Sequence, residues 1–382
     1  MTTLIRAQNA EDFLALVPHL TGFQPCNSIV LVAFRGKRTC GALRCDLPKQ
    51  GSPPAVLRRA ATTMVGMICR IPDVDALVPV VYADSPFAPG RSMPGSDIVT
   101  VLLSRARYSG FLVRDALCVA SDAWASYLDD DAPRGGRPLA LIGASAAQKS
   151  LIASEDAGSL LDLDTESALP VAALEPLERT AQKYSELDRL RHSPELEPAL
   201  VFDHGFSGDV VAFAERLISI APIEISPADG ALLAFAVSSP CLRDEILLTW
   251  AWGTRFGLTV AEMNDRHNAG EDIGDLPGSM ALGGFDMPRP APERLRSAIE
   301  LLRVAASRVP RRARPPLLTM IAWSHWALGA GTLAGRWTDQ ARAIDRSYRL
   351  AELLDTMLQA GHLPEWAWAV PPDVLTSVTI DR

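Results

Sequence analysis

The stretch SIVLVAFRGKRTCGALRCDL, residues 28–47, decides the fold of the amino-terminal half of this chain. Two runs of β-forming residues flank the tetrapeptide RGKR, and its central Gly36-Lys37 suits a two-residue type II′ turn with glycine first. We therefore predict a β-hairpin in which Arg35 pairs with Arg38 across the turn.

The register of this hairpin follows from the turn. Counting outward from it places Ser28 opposite Cys45 and Asn27 opposite Asp46, with Arg44 on the same face as Asp46. Polar side chains are thus expected to gather where the first strand begins.

The first strand is apolar on both of its faces, so we predict that it lies inside a sheet covered on both sides. Further strands are predicted at 76–84, 115–120 and 124–128, and helices at 54–70 and 97–107. Strands that alternate with helices indicate an α/β layer. Residues 1–146 are therefore predicted to form a domain with a mixed sheet, built from an N-terminal hairpin and β/α units.

Beyond residue 146 strand-forming runs become scarce, and an all-α domain is predicted over residues 147–382. A long loop is expected between about residues 263 and 291, where no clear periodicity is present. Helices are predicted at 171–190, 208–220, 228–237, 241–253, 292–307, 316–330 and 338–360. The spacing of small and aromatic residues within 316–360 is similar to that of tetratricopeptide units, which predicts a TPR-like helical hairpin. Two packed core helices that close the domain are the alternative.

Composition excludes several classes of protein. With 48% hydrophobic and 21% charged residues the chain is an ordinary globular one, and a net charge of −8 gives no basic field for nucleic acid. The start, MTTLIRAQNAEDF, lacks the features of a signal peptide, so a cytoplasmic location is predicted. The uncharged stretch at 317–335 contains a histidine and several glycines, and we interpret it as a buried hairpin and not as a membrane span.

Metal and cofactor sites are not expected. The six cysteines form no C-x-x-C pair and no paired spacing with histidine, so nothing indicates zinc. The acidic segments DDD (129–131) and NDRHNAGEDIGD (264–275) do not have the spacing of a calcium loop. The first is interpreted as a polar turn, and the second as a solvated or partner-facing loop. GAGTLAG (329–335) lacks the spacing of a dinucleotide loop, and the chain contains no P-loop motif.

Several segments, taken in order, resemble an actinobacterial family, the domain of unknown function 4192. They are LVPHLTGFQPCNSIVLVAF (16–34), CDLP (45–48), DALCVASDAWASYL (115–128), SSPCLRDEILLTW (238–250) and the long segment from PPLLTMIAW to TMLQAG (315–361). The resemblance implies a mixed α/β amino half and a helical carboxyl half, and it implies no assigned activity. The chain departs from the family pattern after Tyr127, where LDDDAPRGG stands in place of a cysteine-rich turn. A metal or redox role for that turn is therefore not expected.

A ligand site is predicted at the start of the first two strands, formed by Asn27, Ser28, Arg44 and Asp46. The end of a sheet is a usual place for a ligand in α/β folds. The alternative is structural: Asn27 and Ser28 satisfy loose backbone groups at the strand entry, and Arg44 pairs with Asp46.

LALIGASAAQK (139–149) is similar to a nucleophile elbow, in which a strand would run into a sharp turn at Ser145. No histidine of the chain stands in a helpful context as its base, and the last glycine of the motif is replaced. We therefore do not predict a catalytic serine here.

Two hypotheses about function remain. The first is a non-enzymatic interaction or ligand-sensing module, whose helical half binds a protein partner through Trp323, Trp326 and Tyr348. The second is a small-molecule enzyme of the hydrolase or transferase class, with its pocket at Asn27, Ser28, Arg44 and Asp46 or between the two halves of the chain. The absence of catalytic motifs favours the first hypothesis, but it leaves open whether the protein is an enzyme.

Overall fold

The computed structural model describes residues 6–88, 92–153, 160–191, 209–271, 277–368 and 379–380. The chain divides into two compact units, which we call the amino-terminal unit (Met1–Leu163 with Trp368–Arg382) and the carboxyl-terminal unit (Asp164–Ala367). The division falls after Leu163, whereas the predicted boundary lies after residue 146, and the described strand at residues 379–380 belongs to the amino-terminal unit.

The amino-terminal unit is built on a mixed sheet. Its strands are β1 (Arg6–Ala7), β2 (Ser28–Arg35), β3 (Arg38–Asp46), β4 (Ala76–Tyr82), β5 (Leu112–Val113), β6 (Leu117–Val119), β7 (Ala123–Ser126), β8 (Arg137–Pro138) and β9 (Thr379–Ile380). They lie in the order β1-β9-β3-β2-β4-β6-β7-β8, and β5 pairs with β4. The pairs β2–β3, β2–β4 and β6–β7 are antiparallel, whereas β4–β6 is parallel. The predicted mixed α/β architecture is confirmed.

Helices cover both faces of this sheet. They are α1 (Ala10–Thr21), α2 (Pro54–Ile68), α3 (Ser96–Tyr108), α4 (Ala140–Gly143) and α5 (Ala146–Ala153). Residues of α1 and α5 share one core with Val30 and Val32, while residues of α2 and α3 share another core with Ile29 and Leu31. Burial of each aliphatic side chain contributes about 1.5–3 kcal/mol. The two apolar faces of β2 therefore fix it inside the sheet, as the sequence predicts.

The β2–β3 hairpin has the predicted turn but a shifted register. Gly36 has a φ of +53°, which suits the first central position of a type II′ turn, and Arg35 pairs with Arg38. A bulge at Cys40 then inserts one extra residue into β3.

The bulge moves every partner beyond it by one residue. Ser28 therefore lies opposite Asp46, and the predicted pairings of Ser28 with Cys45 and of Asn27 with Asp46 are wrong. Since opposite residues share a face, Ser28, Arg44 and Asp46 all lie on the face that α1 covers.

The amino end of α1 is held in place by one buried acid. The Asn9 side chain caps the helix by accepting from the backbone N–H of Asp12 at 2.8 Å. The Asp12 carboxylate is only 1% exposed and accepts from the backbone N–H groups of Gln8, at 3.1 Å, and Ala147, at 2.9 Å. A single side chain thus ties the start of α1 to α5.

The segment LALIGASAAQK does not form a nucleophile elbow. The chain enters it through α4, and the elbow would require a strand there. Ser145 is buried, and its hydroxyl accepts from the backbone N–H of Gln148 at 3.2 Å as a cap of α5. Its hydroxyl therefore has a structural role.

The carboxyl-terminal unit is helical, as predicted. Its helices are α7 (Leu174–Arg191), α8 (Val210–Ser219), α9 (Pro227–Ala236), α10 (Pro240–Trp252), α11 (Thr254–Asn268), α12 (Pro277–Gly283), α13 (Pro292–Arg308), α14 (Arg314–Ala327), α15 (Gly331–Ile344) and α16 (Arg349–Gln359), and α6 (Leu163–Glu166) spans the division.

Two details of the helical prediction are wrong. The segment 263–291 is not a long loop, because α11 continues to Asn268 and α12 follows. The predicted helix 338–360 is broken at Asp345, whose carboxylate accepts from the backbone N–H of Ser347 at 2.9 Å and so competes with helical bonding.

The core of the carboxyl-terminal unit is rich in tryptophan. The indole nitrogens of four tryptophans each donate a hydrogen bond to a backbone carbonyl. Trp250 donates to Ala214 at 2.8 Å, and the others, Trp323, Trp326 and Trp366, donate to Leu282, His362 and Ala327 at 2.9 Å each. The helices α14 and α15 pack against each other within this core. Their TPR-like character stays a prediction.

Candidate functional site

The predicted ligand residues at the start of β2 do come together. The Arg44 guanidinium forms an ion pair with Asp46, with an N–O distance of 2.6 Å, and it donates to the Cys26 carbonyl at 3.4 Å. Asn27, which has a φ of +40°, bonds to Asp84 through its side-chain amide. Much of the polar collar is thus occupied by internal contacts, which the structural alternative also expects.

Part of this collar has no partner. The Ser28 hydroxyl and the Nε of Arg44 are buried without a hydrogen bond, and so is the hydroxyl of Tyr82, which lies opposite Ser28. Burial raises the pKa of Tyr82 well above its usual range. The Asp46 side chain, by contrast, is 86% exposed. A ligand-binding role for Asn27, Ser28, Arg44 and Asp46 stays a prediction.

A second candidate site lies on the same face, beside the amino end of α1. It is a cleft of about 700 Å³, within the range of small-molecule sites. We call it the Arg114 cleft; its walls are formed by Gln8, Asn9, Ala10, Glu11, Phe13, Val78, Leu112, Val113, Arg114, Asp115, Leu117, Trp124, Ser126, Leu128, Asp129 and Arg137. Four of its lining residues, Phe13, Val78, Leu117 and Trp124, belong to the core beneath α1.

One wall of the cleft carries a polar network that is already satisfied. The Ser126 hydroxyl donates to Asp115 at 2.5 Å, and Arg137 donates to Asp129 at 2.6 Å. The hydrogen bond from Arg137 lowers the pKa of the Asp129 carboxyl. The Arg137 guanidinium also lies over the Trp124 ring, 5.3 Å from its centroid. These groups give the wall a fixed shape.

Arg114, which follows β5, differs from these residues because part of its guanidinium has no hydrogen-bond partner. One of its nitrogens, Nη2, donates to the Gly36 carbonyl at 2.5 Å, and its guanidinium lies 5.1 Å from the centroid of the Phe34 ring. Its Nε and Nη1 are buried and have no acceptor. Buried donors without a partner are rare in folded proteins, since each costs about 1–3 kcal/mol.

Trp124 adds a further unpaired donor to the same cleft. Its residue is 2% exposed, and its Nε1 has no hydrogen-bond partner. Two residues that line the cleft, Arg114 and Trp124, thus carry three buried nitrogen donors without acceptors, an arrangement suited to a ligand with hydrogen-bond acceptors.

Sequence reasoning missed this cleft. Its donors come from segments that are distant in sequence, and the order of the strands brings them together. One local signal was present. Side chains alternate along a strand, so the sequence of β7 places Ser126 on the same face as Trp124 and could have indicated a polar side chain next to the tryptophan.

The predicted partner-binding residues lie in the core of the carboxyl-terminal unit. Trp323 and Trp326 are buried, and Tyr348 is half-buried with its hydroxyl accepting from Arg243 at 2.8 Å. This placement agrees with the alternative of two packed core helices. A role for these three residues in partner binding stays a prediction.

Within the described residues, no group of three histidine, cysteine or acidic side chains could hold a metal ion. Among the helices described, none is long and apolar enough to cross a membrane.

Comparison with known proteins gives a family and nothing more. Neither a curated protein nor a solved structure matches the chain. A family model described as domain of unknown function (DUF4192) matches residues 11–255 and 290–365, which is most of the chain. The match covers the hairpin, most residues of the Arg114 cleft and most of the helical unit, and the chain accordingly belongs to the DUF4192 family.

Proposed function

We propose that the amino-terminal unit binds a small molecule in the Arg114 cleft and that the protein acts as a ligand-sensing module. One observation carries the proposal: Arg114 Nε, Arg114 Nη1 and Trp124 Nε1 are buried without acceptors, and both residues line a cleft of about 700 Å³. A fold tolerates such groups where a ligand supplies the missing acceptors.

The collar at the start of β2 is the second candidate location, and the enzyme hypothesis belongs to it. The unpartnered Ser28 hydroxyl and Arg44 Nε support a ligand at this place. A hydrolase or transferase would use the collar of Asn27, Ser28, Arg44 and Asp46 as its pocket. A protein partner for the helical unit and a cytoplasmic location remain predictions, and the acidic net charge supports the absence of a nucleic-acid partner.

Ligand screening on matched variants distinguishes the Arg114 cleft from the collar as the binding site. Metabolites that raise the melting temperature of the wild-type chain are expected to lose this effect in Arg114→Met and to keep it in Arg44→Met. Arg107→Met, which removes an exposed arginine of α3, controls for the change in charge. The opposite pattern would assign the ligand to the collar, and the absence of any saturable shift would refute the proposed function.

The stability of Arg114→Met provides a test without a ligand. Its free energy of unfolding is expected to lie within about 1 kcal/mol of the wild-type value, because loss of the Gly36 bond is offset by removal of two unpaired buried donors. Urea unfolding followed by circular dichroism measures the difference. A loss clearly above about 2 kcal/mol would indicate that Arg114 serves the fold alone.

A further inference from the structure

The positive charge of Arg114 indicates the sign of the charge that the ligand carries. The other arginine of the cleft, Arg137, has a carboxylate partner in Asp129, with an N–O distance of 2.6 Å. Arg114 has no carboxylate partner within the part of the chain that the structure describes, and its only acceptor is the Gly36 carbonyl. A half-buried cation without a counter-charge favours an anionic ligand.

Trp124 supports the same class of ligand independently. An indole ring nitrogen can only donate a hydrogen bond, and so can every nitrogen of a guanidinium. The groups missing from Arg114 and Trp124 are therefore acceptors. A carboxylate supplies two oxygen atoms with several lone pairs, which suits more than one donor at a time.

The amino end of α1 adds to this preference. Asn9, Ala10 and Glu11 line the cleft, and the helix that starts there is 12 residues long. The first N–H groups of a helix lack intrahelical partners, and this end carries the positive pole of the helix dipole. Asn9 occupies the N–H of Asp12, so the helix contributes chiefly through its dipole.

Acidic residues of the cleft limit the charge of the ligand. Glu11 and Asp115 line it as well, and Asp115 already accepts from the Ser126 hydroxyl at 2.5 Å and from the backbone N–H of Ala116 at 2.7 Å. Like charges at short range repel, by about 1 kcal/mol at 4 Å in water and more where water is excluded. A polyphosphate is therefore disfavoured relative to a single negative charge.

The remaining walls favour an apolar body. Leu112 and Leu128 line the cleft and are 61% and 41% exposed, whereas the lining residues Phe13, Val78 and Leu117 belong to the buried core on this side of the sheet. On the basis of the proposed function, we infer that the Arg114 cleft binds a small organic acid, whose single carboxylate contacts Arg114 and Trp124 and whose apolar part packs on Leu112 and Leu128.

Calorimetric titration of the intact chain tests the inference. The probes are phenylacetate, 4-phenylbutyrate and hexanoate, each beside its primary amide, and phenylphosphonate as a dianion. At least one acid is expected to bind about tenfold or more tightly than its amide, because a charge-assisted hydrogen bond is lost in the amide. Arg114→Met is expected to weaken that acid by about tenfold or more, and Arg107→Met by less than about twofold.

The possible results distinguish failure of the inferred ligand class from failure of ligand binding at the cleft. Equal binding of acids and amides, with loss of both in Arg114→Met, would overturn the inference and leave ligand binding at the cleft standing. Tighter binding of phenylphosphonate than of every carboxylate would overturn the single charge. Failure of all three acids to bind would overturn the inference, whereas the proposed function would then be judged by the wider metabolite screen.

Discussion

Replacing Glu245 with glutamine is expected to raise the free energy of unfolding of the carboxyl-terminal unit by up to about 3 kcal/mol at pH 8 and to leave it nearly unchanged at pH 4. Glu245 is 5% exposed within α10, and burial raises the pKa of its carboxyl from 4.5 to about 7. A hydrogen bond from Asn264 lowers this pKa, and the charges of Asp265 and Asp209 raise it further.

The sign of the effect follows from these values. The pKa of Glu245 is higher in the folded than in the unfolded state, so the ionised carboxylate destabilises the fold. The penalty is complete above about pH 7 and disappears as the pH falls below about 4.5. The side-chain carbonyl of glutamine can still accept a hydrogen bond from Asn264, and the substitution removes the charge.

His325 imposes the opposite dependence on the same unit. It is 7% exposed, and burial, followed by the charge of Arg303, lowers its pKa from 6.5 to about 4. The imidazole is neutral in both states above pH 6.5 and contributes nothing there. As the pH falls from 6.5 towards 4, the unfolded chain takes up the proton first, and stability falls by about 1.4 kcal/mol per pH unit.

The two groups offset each other between about pH 4.5 and 6.5, so Glu245→Gln should expose the acid dependence of His325. Urea unfolding at pH 4, 6 and 8 measures this by tryptophan fluorescence. Six of the eight tryptophans lie in Asp164–Ala367, so the signal reports mainly on this unit. Glu262→Gln, which changes an exposed acid of α11, is the control. A Glu245→Gln curve parallel to the wild-type curve would contradict the expectation.

The hairpin could be predicted from sequence because its information is local. A two-residue turn with glycine first and two flanking β-forming runs specify it without the rest of the chain. The bulge at Cys40 could not be predicted, because it depends on distant packing. The next residue, Gly41, lies so close to Ile71 that a Cβ there would be 3.3 Å from the Ile71 side chain.

Helix α11 shows why a polar segment was predicted as a loop. Few of its side chains are buried, so the apolar stripe on which periodicity depends is nearly absent. Its packing uses a small residue instead. A Cβ at Gly257 would lie 2.2 Å from the Thr249 hydroxyl oxygen of α10, so only glycine permits this close approach of the two helices.

The two candidate sites likewise differ in whether local sequence encodes them. The collar was predicted because Ser28, Arg44 and Asp46 lie on one hairpin, and a register error of one residue still left them together. The Arg114 cleft depends on the parallel pairing of β4 with β6 and on the position of α1, neither of which a local pattern encodes. Unpaired donors, moreover, become visible only after every other polar contact is known.

Replacing Gly284 with alanine is expected to lower the free energy of unfolding of the carboxyl-terminal unit by about 3–5 kcal/mol. Gly284 follows α12 with a φ of +79°, where an added Cβ costs about 1–2 kcal/mol in any protein. That Cβ would also lie 2.6 Å from the Trp326 ring and 2.7 Å from the Cβ of Pro364. Neither neighbour can move freely, because Trp326 donates to the His362 carbonyl and Glu365 donates to the Gly284 carbonyl, at 2.9 and 2.8 Å.

Gly329→Ala is the matched control for the clash at Gly284. Gly329 follows α14 with a φ of +85°, and a Cβ there would meet no atom within 4 Å. It therefore carries the same backbone penalty without the overlap, and a loss of only about 1–2 kcal/mol is expected. Urea unfolding of both variants isolates the packing contribution as the difference between them. Equal losses would show that the segment around Pro364 yields to the added methyl group, so that the close packing of Gly284 against Trp326 does not stabilise the helical core.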